Sequence, residues 1–258
     1  MTTVAVADPV RSLKLTEGEL NFYNREGYLQ IPGLLPLDIA AQLNEETMHI
    51  MNTIGGFEGS KLKQTNEYLE GTLLDQYVHS ENLRNVATQL MGGNALRYLP
   101  FTAVKGSGGG MFHFHQDNNY TKLDGPSVNL WMALSDMTPE NGCLMVVPRS
   151  HTNGTVEAVQ SSDGDNHQMV KVEPKDFLPI RMRPGDVVAF TRLTIHGSGG
   201  NSMPDPRVAY AIQYGRDDVN WQGRGTDTWT PLAKTPRWPD ALKPVRTLTV
   251  PKGKIDGH

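Results

Sequence analysis

The residues after position 95 limit the possible fold most strongly. They form a series of short segments in which apolar and polar side chains alternate, and glycine, proline, asparagine and aspartate separate the segments. Alternation with a period of two is typical of β-strands that bury one face. About eight such strands in a row predict an antiparallel sandwich or jelly roll. The clearest predicted strands are 96–104, 111–117, 128–136, 144–148, 170–172, 186–191 and 207–214.

The sequence before residue 95 has a helical pattern instead. Thr16 followed by Glu19 is the pattern of a capping box at a helix N-terminus, and Gly27 marks the end of that helix. Pro36 predicts the start of a second helix, which runs to about residue 54. Two further predictions are a short strand over 28–31 and a third helix over 80–91.

These two patterns predict a fold class that is mainly β, with N-terminal helices around a jelly-roll, cupin-like core. We predict a single domain, 1–258, because no flexible linker separates the patterns. A mainly helical part, 1–94, packs on the β-core, 95–216, and a C-terminal extension, 217–258, follows. A domain boundary near residue 95 is the alternative.

Composition argues against several classes of protein. A lone cysteine, Cys143, cannot form an internal disulfide or supply a thiolate zinc cluster. The net charge of −4, without blocks of like charge, argues against a dedicated nucleic-acid-binding protein. The sequence has no apolar run of the ~18–20 residues that span a membrane, and its start does not resemble a signal peptide. We predict a soluble, cytoplasmic monomer or homodimer whose partner is a small molecule, not nucleic acid or a membrane.

The segment His113-Phe114-His115-Gln116-Asp117 carries the strongest chemical signal. Residues two apart on a strand face the same side, so His115 and Asp117 would present an imidazole and a carboxylate together. The best third ligand is His196, which lies just beyond the strand predicted over 186–191. Two histidines and one carboxylate with open coordination positions are typical of non-haem Fe(II) oxygenases.

Arg207 adds a second requirement. It shares one face of the strand predicted over 207–214 with Ala209, Ala211 and Gln213, where a charged side chain is unusual. A buried guanidinium needs an anion, and its planar fork suits a carboxylate. An Fe(II) site beside such an arginine indicates a 2-oxo acid cosubstrate. Lys105 and Arg97 are further candidates for anion contacts.

Taken in order, these motifs resemble the phytanoyl-CoA dioxygenase family of Fe(II)/2-oxoglutarate oxygenases over roughly residues 15–216. The resemblance implies a double-stranded β-helix in which His115, Asp117 and His196 bind the iron. It also implies that Arg207 and Ser198 hold the distal carboxylate of 2-oxoglutarate, and that Trp131 lines the cosubstrate pocket or packs in the core. Further matching segments are 129–134, 140–144, 148–151, in which Arg149 replaces the family's usual glycine, and 184–186.

The resemblance also implies a reaction. Fe(II), 2-oxoglutarate and O₂, with ascorbate as an optional reductant, would hydroxylate a C–H bond and release succinate and CO₂. Halogenating relatives have glycine or alanine at the carboxylate position, so Asp117 argues against halogenation. Desaturation and ring closure stay open as alternatives.

The resemblance leaves the substrate open, because family members act on acyl-CoA thioesters, amino-acid derivatives, phosphonates and secondary metabolites. Because the sequence has no basic cluster for CoA phosphates, we expect a small free metabolite.

Other interpretations use the same residues differently. A cupin-type metalloenzyme would bind its metal through His113, His115 and His196, although the expected glutamate after the paired histidines is missing. A silent jelly-roll binding protein would use none of this chemistry. His113 is either a neighbour of the metal site or an ordinary histidine.

The predicted substrate contacts lie at the ends of strands. Candidates are Asn118, Asn119, Tyr120 and Arg216, although Arg216 could instead pair with Asp217 or Asp218. Loops carry specificity on such scaffolds. We therefore expect the polar insertion 152–179 and the tail with Trp221, Trp229 and Trp238 to cover the opening, and the glycine-rich run 106–110 to form a hairpin or mobile lid.

Overall fold

The helices lie largely where the sequence pattern predicts them. The computed structural model describes residues 7–53, 62–65, 72–161 and 167–234, so residue 54 and Trp238 lie outside the described residues. No helix within these ranges is long and apolar enough to cross a bilayer. The helices are α1 (Glu17–Glu26), α2 (Leu37–Thr53), α3 (Leu73–Val78) and α4 (Glu81–Met91).

Local hydrogen bonds explain the ends of α1. The Thr16 hydroxyl accepts from the backbone N–H of Glu19 at 3.2 Å, and the Glu19 carboxylate accepts from the backbone N–H of Thr16 at 2.7 Å. This capping box satisfies two N–H groups that the first turn leaves free. Gly27 ends the helix with φ 80°, a left-handed conformation that favours glycine.

Helix α3 was not predicted, because a residue of another helix stabilises its start. The carboxylate of Glu46, on α2, accepts from the backbone N–H groups of Leu73 and Leu74 at 3.2 and 2.7 Å. A carboxylate at a helix N-terminus also interacts favourably with the helix dipole. A six-residue helix is too short to give a clear periodic pattern, and a contact with a distant residue has no signal in the local sequence.

The β-core consists of two larger antiparallel sheets and two small ones. The order is β1-β11-β6-β13-β3-β2 in the six-stranded sheet and β10-β7-β12-β4 in the four-stranded sheet; β15-β14-β5 and β8-β9 form the small sheets. The strands are β1 (Tyr28–Ile31), β2 (Leu62–Thr65), β3 (Ala95–Lys105), β4 (Phe112–His115), β5 (Lys122–Leu123), β6 (Ser127–Ala133), β7 (Leu144–Val146), β8 (Val159–Gln160), β9 (Gln168–Met169), β10 (Leu178–Pro179), β11 (Val187–Thr191), β12 (His196–Ser198), β13 (Arg207–Arg216), β14 (Asn220–Gln222) and β15 (Trp229–Pro231).

The six-stranded sheet is buried on both faces. On β13, Tyr210 and Ile212 pack into a cluster with the helices, whereas Ala209 and Ala211 pack into a cluster that includes Leu144 of the four-stranded sheet. The sheet therefore has helices on one side and the second sheet on the other. This arrangement confirms the predicted mainly β class, with N-terminal helices around a double-stranded β-helix, or jelly roll.

Two predicted strands differ from the observed ones. The strand predicted over 111–117 ends at His115, and a 3-10 turn, Asp117–Asn119, follows it. The segment 170–172 is not a strand; Val170 only donates its backbone N–H to Phe114 O at 2.7 Å, and β9 precedes it. The other predicted strands lie within a few residues of their predicted bounds.

Strand pairing fixes the relative positions of distant polar residues. β12 pairs with β4 so that His196 lies opposite His115. β13 pairs with β3 so that Arg207 lies opposite Lys105, and with β6 so that Gln213 lies opposite Asn129. All six of these residues are buried, and each is 5% exposed or less.

Replacing Leu130 with alanine tests the double burial of the sheet. Leu130 is fully buried on β6 and packs with the helices. Leu130→Ala should lower the free energy of unfolding by about 2–5 kcal/mol, since it removes buried methyl groups and leaves a cavity. Leu37→Ala, at a residue that is 69% exposed, is the matched control and should change stability by about 0.5 kcal/mol or less. Urea unfolding measures both; equal effects would contradict the assigned core.

Candidate active site

His115, Asp117 and His196 come together as one buried cluster. Their ligand atoms all lie within 4.8 Å of one another. Asp117 Oδ1 is 3.9 Å from His115 Nε2 and 3.7 Å from His196 Nε2. The pairing of β4 with β12 positions the two histidines, and the turn that follows β4 brings Asp117 beside them. The three residues that the sequence predicts as metal ligands are therefore brought together, although Asp117 lies on a turn and not on a strand.

Backbone carbonyl groups orient both imidazole rings. His115 Nδ1 lies 2.8 Å from His113 O, and His196 Nδ1 lies 2.9 Å from Thr194 O. A carbonyl oxygen only accepts, so each Nδ1 carries the hydrogen and each Nε2 directs its lone pair towards the cluster. Burial, and secondly the neighbouring His196, lowers the pKa of His115 to about 3. That ring is therefore neutral, which is the form that binds metals.

This donor set fits a divalent iron ion. Two neutral imidazoles and one carboxylate match the ligands that Fe(II) oxygenases use. The nitrogen–oxygen separations of 3.7 and 3.9 Å exceed a hydrogen bond and leave room for an ion at about 2.0–2.2 Å from each ligand atom. His113 is not in the metal-ligand cluster that the described residues form. Its carbonyl group, as described, orients His115 instead.

Arg207 supplies an unusual buried charge. Its side chain is fully buried, and none of its three guanidinium nitrogens has a hydrogen-bond partner among the described residues. Its guanidinium carbon lies 5.3 Å from the centre of the Trp131 ring. Burial lowers the pKa of Arg207 to about 10, so the group stays charged at neutral pH. An unpaired buried charge is costly, which indicates that an anion binds here.

Lys105 places a second cation beside Arg207. Its ammonium group donates to Ser198 Oγ at 2.7 Å and to the carbonyl oxygen of Gly199. Burial, and secondly the charge of Arg207, lowers the pKa of Lys105 to about 7. Two cations held side by side would repel each other unless a negative group neutralises them. Arg97, the other candidate anion contact, instead pairs with Glu81 at 3.1 Å.

A cavity of about 400 Å³ lies at the metal-ligand cluster, and Trp131 and Ser198 connect its wall to Arg207 and Lys105. The side chains of His115, Asp117 and His196 line it, and Trp131 and Ser198 form part of its wall. Trp131 thus contacts both the cavity and Arg207. The remaining wall mixes aromatic, aliphatic and polar residues: Tyr98, Leu99, Phe101, Phe112, Tyr120, Thr121, Asn129, Leu144, His167, Arg192, Gly197 and Gln213.

The predicted substrate contacts occupy different environments. Tyr120 lines the cavity. Asn118 is buried and binds Leu123 O at 3.1 Å, and Asn119 binds Val156 O at 3.0 Å, so both amides stabilise neighbouring loops. Arg216 pairs with Asp218 at 2.6 Å on the exposed side of the structure. These last three residues are not among those that line the described cavity.

Among the wall residues that were not predicted as functional, two carry basic side chains. His167 comes from the insertion 152–179 and packs against Phe112, with ring centres 4.4 Å apart. Arg192 is buried and lies 5.2 Å from the centre of the Tyr98 ring. The position of His167 depends on loop folding, which the sequence pattern does not show. The position of Arg192 could have been inferred, because it directly follows the buried strand β11.

Comparison with known proteins gives relatives of one enzyme family. The family model described as phytanoyl-CoA dioxygenase matches residues 23–209. A phytanoyl-CoA dioxygenase of Arabidopsis thaliana is 35% identical over 127 residues, which cover 47% of this chain and 44% of that protein. A methylphosphonate hydroxylase of Gimesia maris is 25% identical over 214 residues, or 78% of this chain and 80% of that protein. The chain therefore matches less than half of the length of the plant relative.

Solved structures share the fold. EvdO2 from Micromonospora carbonacea, solved with 2-oxoglutarate, superposes with a TM-score of 0.67 at 16% identity, covering 87% of this chain and 98% of that one. The 2-oxoglutarate-dependent carbocyclase SnoK from nogalamycin biosynthesis has a TM-score of 0.65 at 21% identity, covering 82% and 88%. Since the family model covers most of the sequence, and its matched region includes the three clustered ligands and Arg207, this chain belongs to the phytanoyl-CoA dioxygenase family.

Proposed function

We propose that this protein is an Fe(II)- and 2-oxoglutarate-dependent dioxygenase that hydroxylates a C–H bond of a small metabolite and releases succinate and CO₂. The observation that carries the proposal is the fully buried, unpaired guanidinium of Arg207 beside a cavity that holds a two-histidine, one-carboxylate cluster. A dicarboxylate cosubstrate meets both requirements with one molecule. The relative from Gimesia maris is a methylphosphonate hydroxylase, which supports the reaction type.

The residues form two groups with separate roles. His115, Asp117 and His196 would hold the iron, which supplies the oxygen-activating chemistry when bound. Arg207, with Lys105 and Ser198, would hold the distal carboxylate of 2-oxoglutarate, because a guanidinium fork and an ammonium group both donate to carboxylate oxygens. The Trp131 ring lies 5.3 Å from the guanidinium carbon of Arg207, a distance at which a cation–π contact helps to hold the group.

The cavity walls favour a small, uncharged substrate group. A volume of about 400 Å³ lies at the lower end of the range for ligand sites, and the cosubstrate occupies part of it. Arg192, the arginine of the described wall, already donates to protein acceptors such as Thr121 O at 2.7 Å. Desaturation or ring closure would give a product that has lost two hydrogens, whereas hydroxylation adds one oxygen, so the product mass distinguishes these reactions.

We expect a cytoplasmic monomer or homodimer. Fractionation of cells tests the localisation, and size-exclusion chromatography tests the oligomeric state.

Replacing Asp117 with alanine should abolish metal-dependent turnover. Asp117→Ala removes the only carboxylate of the described cluster, so Fe(II) affinity should fall at least about 100-fold, more than for residues that merely support ligands. Anaerobic calorimetry with Fe(II) and succinate release during a metabolite screen measure the effect. Asp136→Ala, at an exposed aspartate, is the control. Full turnover of Asp117→Ala would refute the assigned ligands.

Arg207 should determine the affinity for 2-oxoglutarate. Hydrogen bonds to a charged group contribute about 1.5–3 kcal/mol, so Arg207→Leu should weaken 2-oxoglutarate binding about 10- to 150-fold. Arg207→Lys should be intermediate, because an ammonium group lacks the planar fork. Titration of the Fe(II)-loaded protein with 2-oxoglutarate gives the dissociation constants, and Arg183→Leu, at an exposed arginine, serves as the control. An unchanged constant for Arg207→Leu would contradict the anion site.

Lys105 should make 2-oxoglutarate binding depend on pH. Because its pKa is lowered to about 7, the unliganded protein loses this positive charge as the pH rises from 7 to 9, while the cosubstrate stays dianionic. Binding should therefore weaken over that range and be accompanied by proton uptake. In Lys105→Met the dependence should largely disappear. Dissociation constants measured in several buffers test this; the same slope in both proteins would exclude Lys105 as its source.

A further inference from the structure

We propose that Gln213 is a positioning residue that holds one oxygen of Asp117 away from the metal, so that the other oxygen serves as the ligand. The inference rests on the metal site of the proposed function but concerns a residue outside it. Gln213 Nε2 donates to Asp117 Oδ2 at 3.1 Å, whereas Asp117 Oδ1 is the oxygen that faces His115 and His196. The two oxygens of one carboxylate thus have separate partners.

Arg192 determines which way the Gln213 amide points. Its NH1 group donates to Gln213 Oε1. A guanidinium only donates, so the amide must present its oxygen to Arg192 and its NH₂ group to Asp117. The reverse orientation would place two donors together and face the Asp117 carboxylate with an oxygen. The amide is therefore a fixed donor to Asp117.

Arg192 is itself held in place. Its NH2 group donates to Asp117 O at 3.0 Å and to Thr121 O at 2.7 Å. Arg192 and Gln213 are only 2% and 4% exposed, so water does not compete effectively for these hydrogen bonds. The same arginine thus fixes both the backbone of Asp117 and the amide that contacts its side chain.

The strand pairing of β13 is consistent with this arrangement. The register with β3 shifts between Gln213 and Tyr214, so that Gln213 pairs with Leu99 and Tyr214 with Arg97, and Tyr98 is the extra residue on β3. Two residues opposite one are the pattern of a β-bulge, and bulges occur often next to active sites. On the other side of β13, Gln213 lies opposite Asn129, whose amide also approaches Asp117 Oδ2, at 3.5 Å. Two amides therefore converge on the same oxygen.

This contact has a chemical consequence. With Oδ2 occupied by amide donors, Asp117 offers a single oxygen to the metal. A carboxylate free to bind through both oxygens would take an additional coordination position, which a chelating cosubstrate and O₂ need. Gln213 thus acts on the metal through Asp117.

The test uses Co(II), which binds such sites without turnover and whose visible spectrum reports ligand geometry. In Gln213→Met, a replacement of similar length without a donor, Co(II) affinity should fall about 10- to 100-fold, as for other residues that orient metal ligands. The visible spectrum should also change. The same substitution in an Asp117→Ala background should have no further effect on affinity, because no carboxylate is left to orient.

The control and the second variant separate positioning from folding. Gln89 also bridges two segments, accepting from Leu15 N at 2.8 Å and donating to Leu13 O at 2.9 Å, so Gln89→Met should leave Co(II) affinity unchanged. If Gln213→Met does not fold, Gln213→Asn, whose amide is one methylene shorter, takes its place in the same cycle.

Three outcomes would overturn the inference. If the Gln213 variant keeps the wild-type Co(II) affinity, the role of Gln213 is contradicted but the metal site is not. The same holds if the variant loses affinity equally in the Asp117 and Asp117→Ala backgrounds, because an equal loss would indicate a purely structural role. Absence of Co(II) binding to the unaltered protein would contradict the proposed metal site as well. A loss confined to proteins that contain Asp117 supports it.

Discussion

Strand β13 is buried on both faces, and this constraint determines most of the site. A polar side chain on its inner face has no access to water and must find a partner inside the protein or in a ligand. Gln213 has protein partners in Arg192 and Asp117. Arg207 has none among the described residues except the ring of Trp131. On this strand, Gln213 is hydrogen-bonded within the protein beside the metal cluster, whereas Arg207 needs a bound anion as its partner.

The metal cluster and the buried cations complement each other. The cluster has the neutral His115 beside Asp117, whereas Arg207 and Lys105 lie behind the part of the cavity wall that Trp131 and Ser198 form. A 2-oxo dicarboxylate would meet both, with one carboxylate for the metal and one for the cations. Lys105, on the six-stranded sheet, reaches across to Ser198 on β12 of the four-stranded sheet. The strand that carries His196 therefore also carries one of the anion contacts.

Much of this site follows from sequence, for reasons that are local. The alternation on β13 places Arg207 and Gln213 on the inner face, and the spacing of His115 and Asp117 predicts that they lie together. The two residues do lie together, but not because they share a strand face: a turn, and not a strand, positions Asp117. Tertiary contacts explain the remainder: the capping of α3 by Glu46, the arrival of His167 from a loop, and the link from Arg192 to Gln213. None of these has a periodic signal in the sequence.

The central claim is that one molecule bridges the metal cluster and the buried cations. Anaerobic titration with 2-oxoglutarate, with and without Fe(II), tests it most directly. The account predicts one 2-oxoglutarate per chain, much tighter binding when Fe(II) is present, and a weak visible charge-transfer band that appears only with both. Binding of 2-oxoglutarate that does not depend on Fe(II), or the absence of the band at saturating concentrations of both, would contradict it.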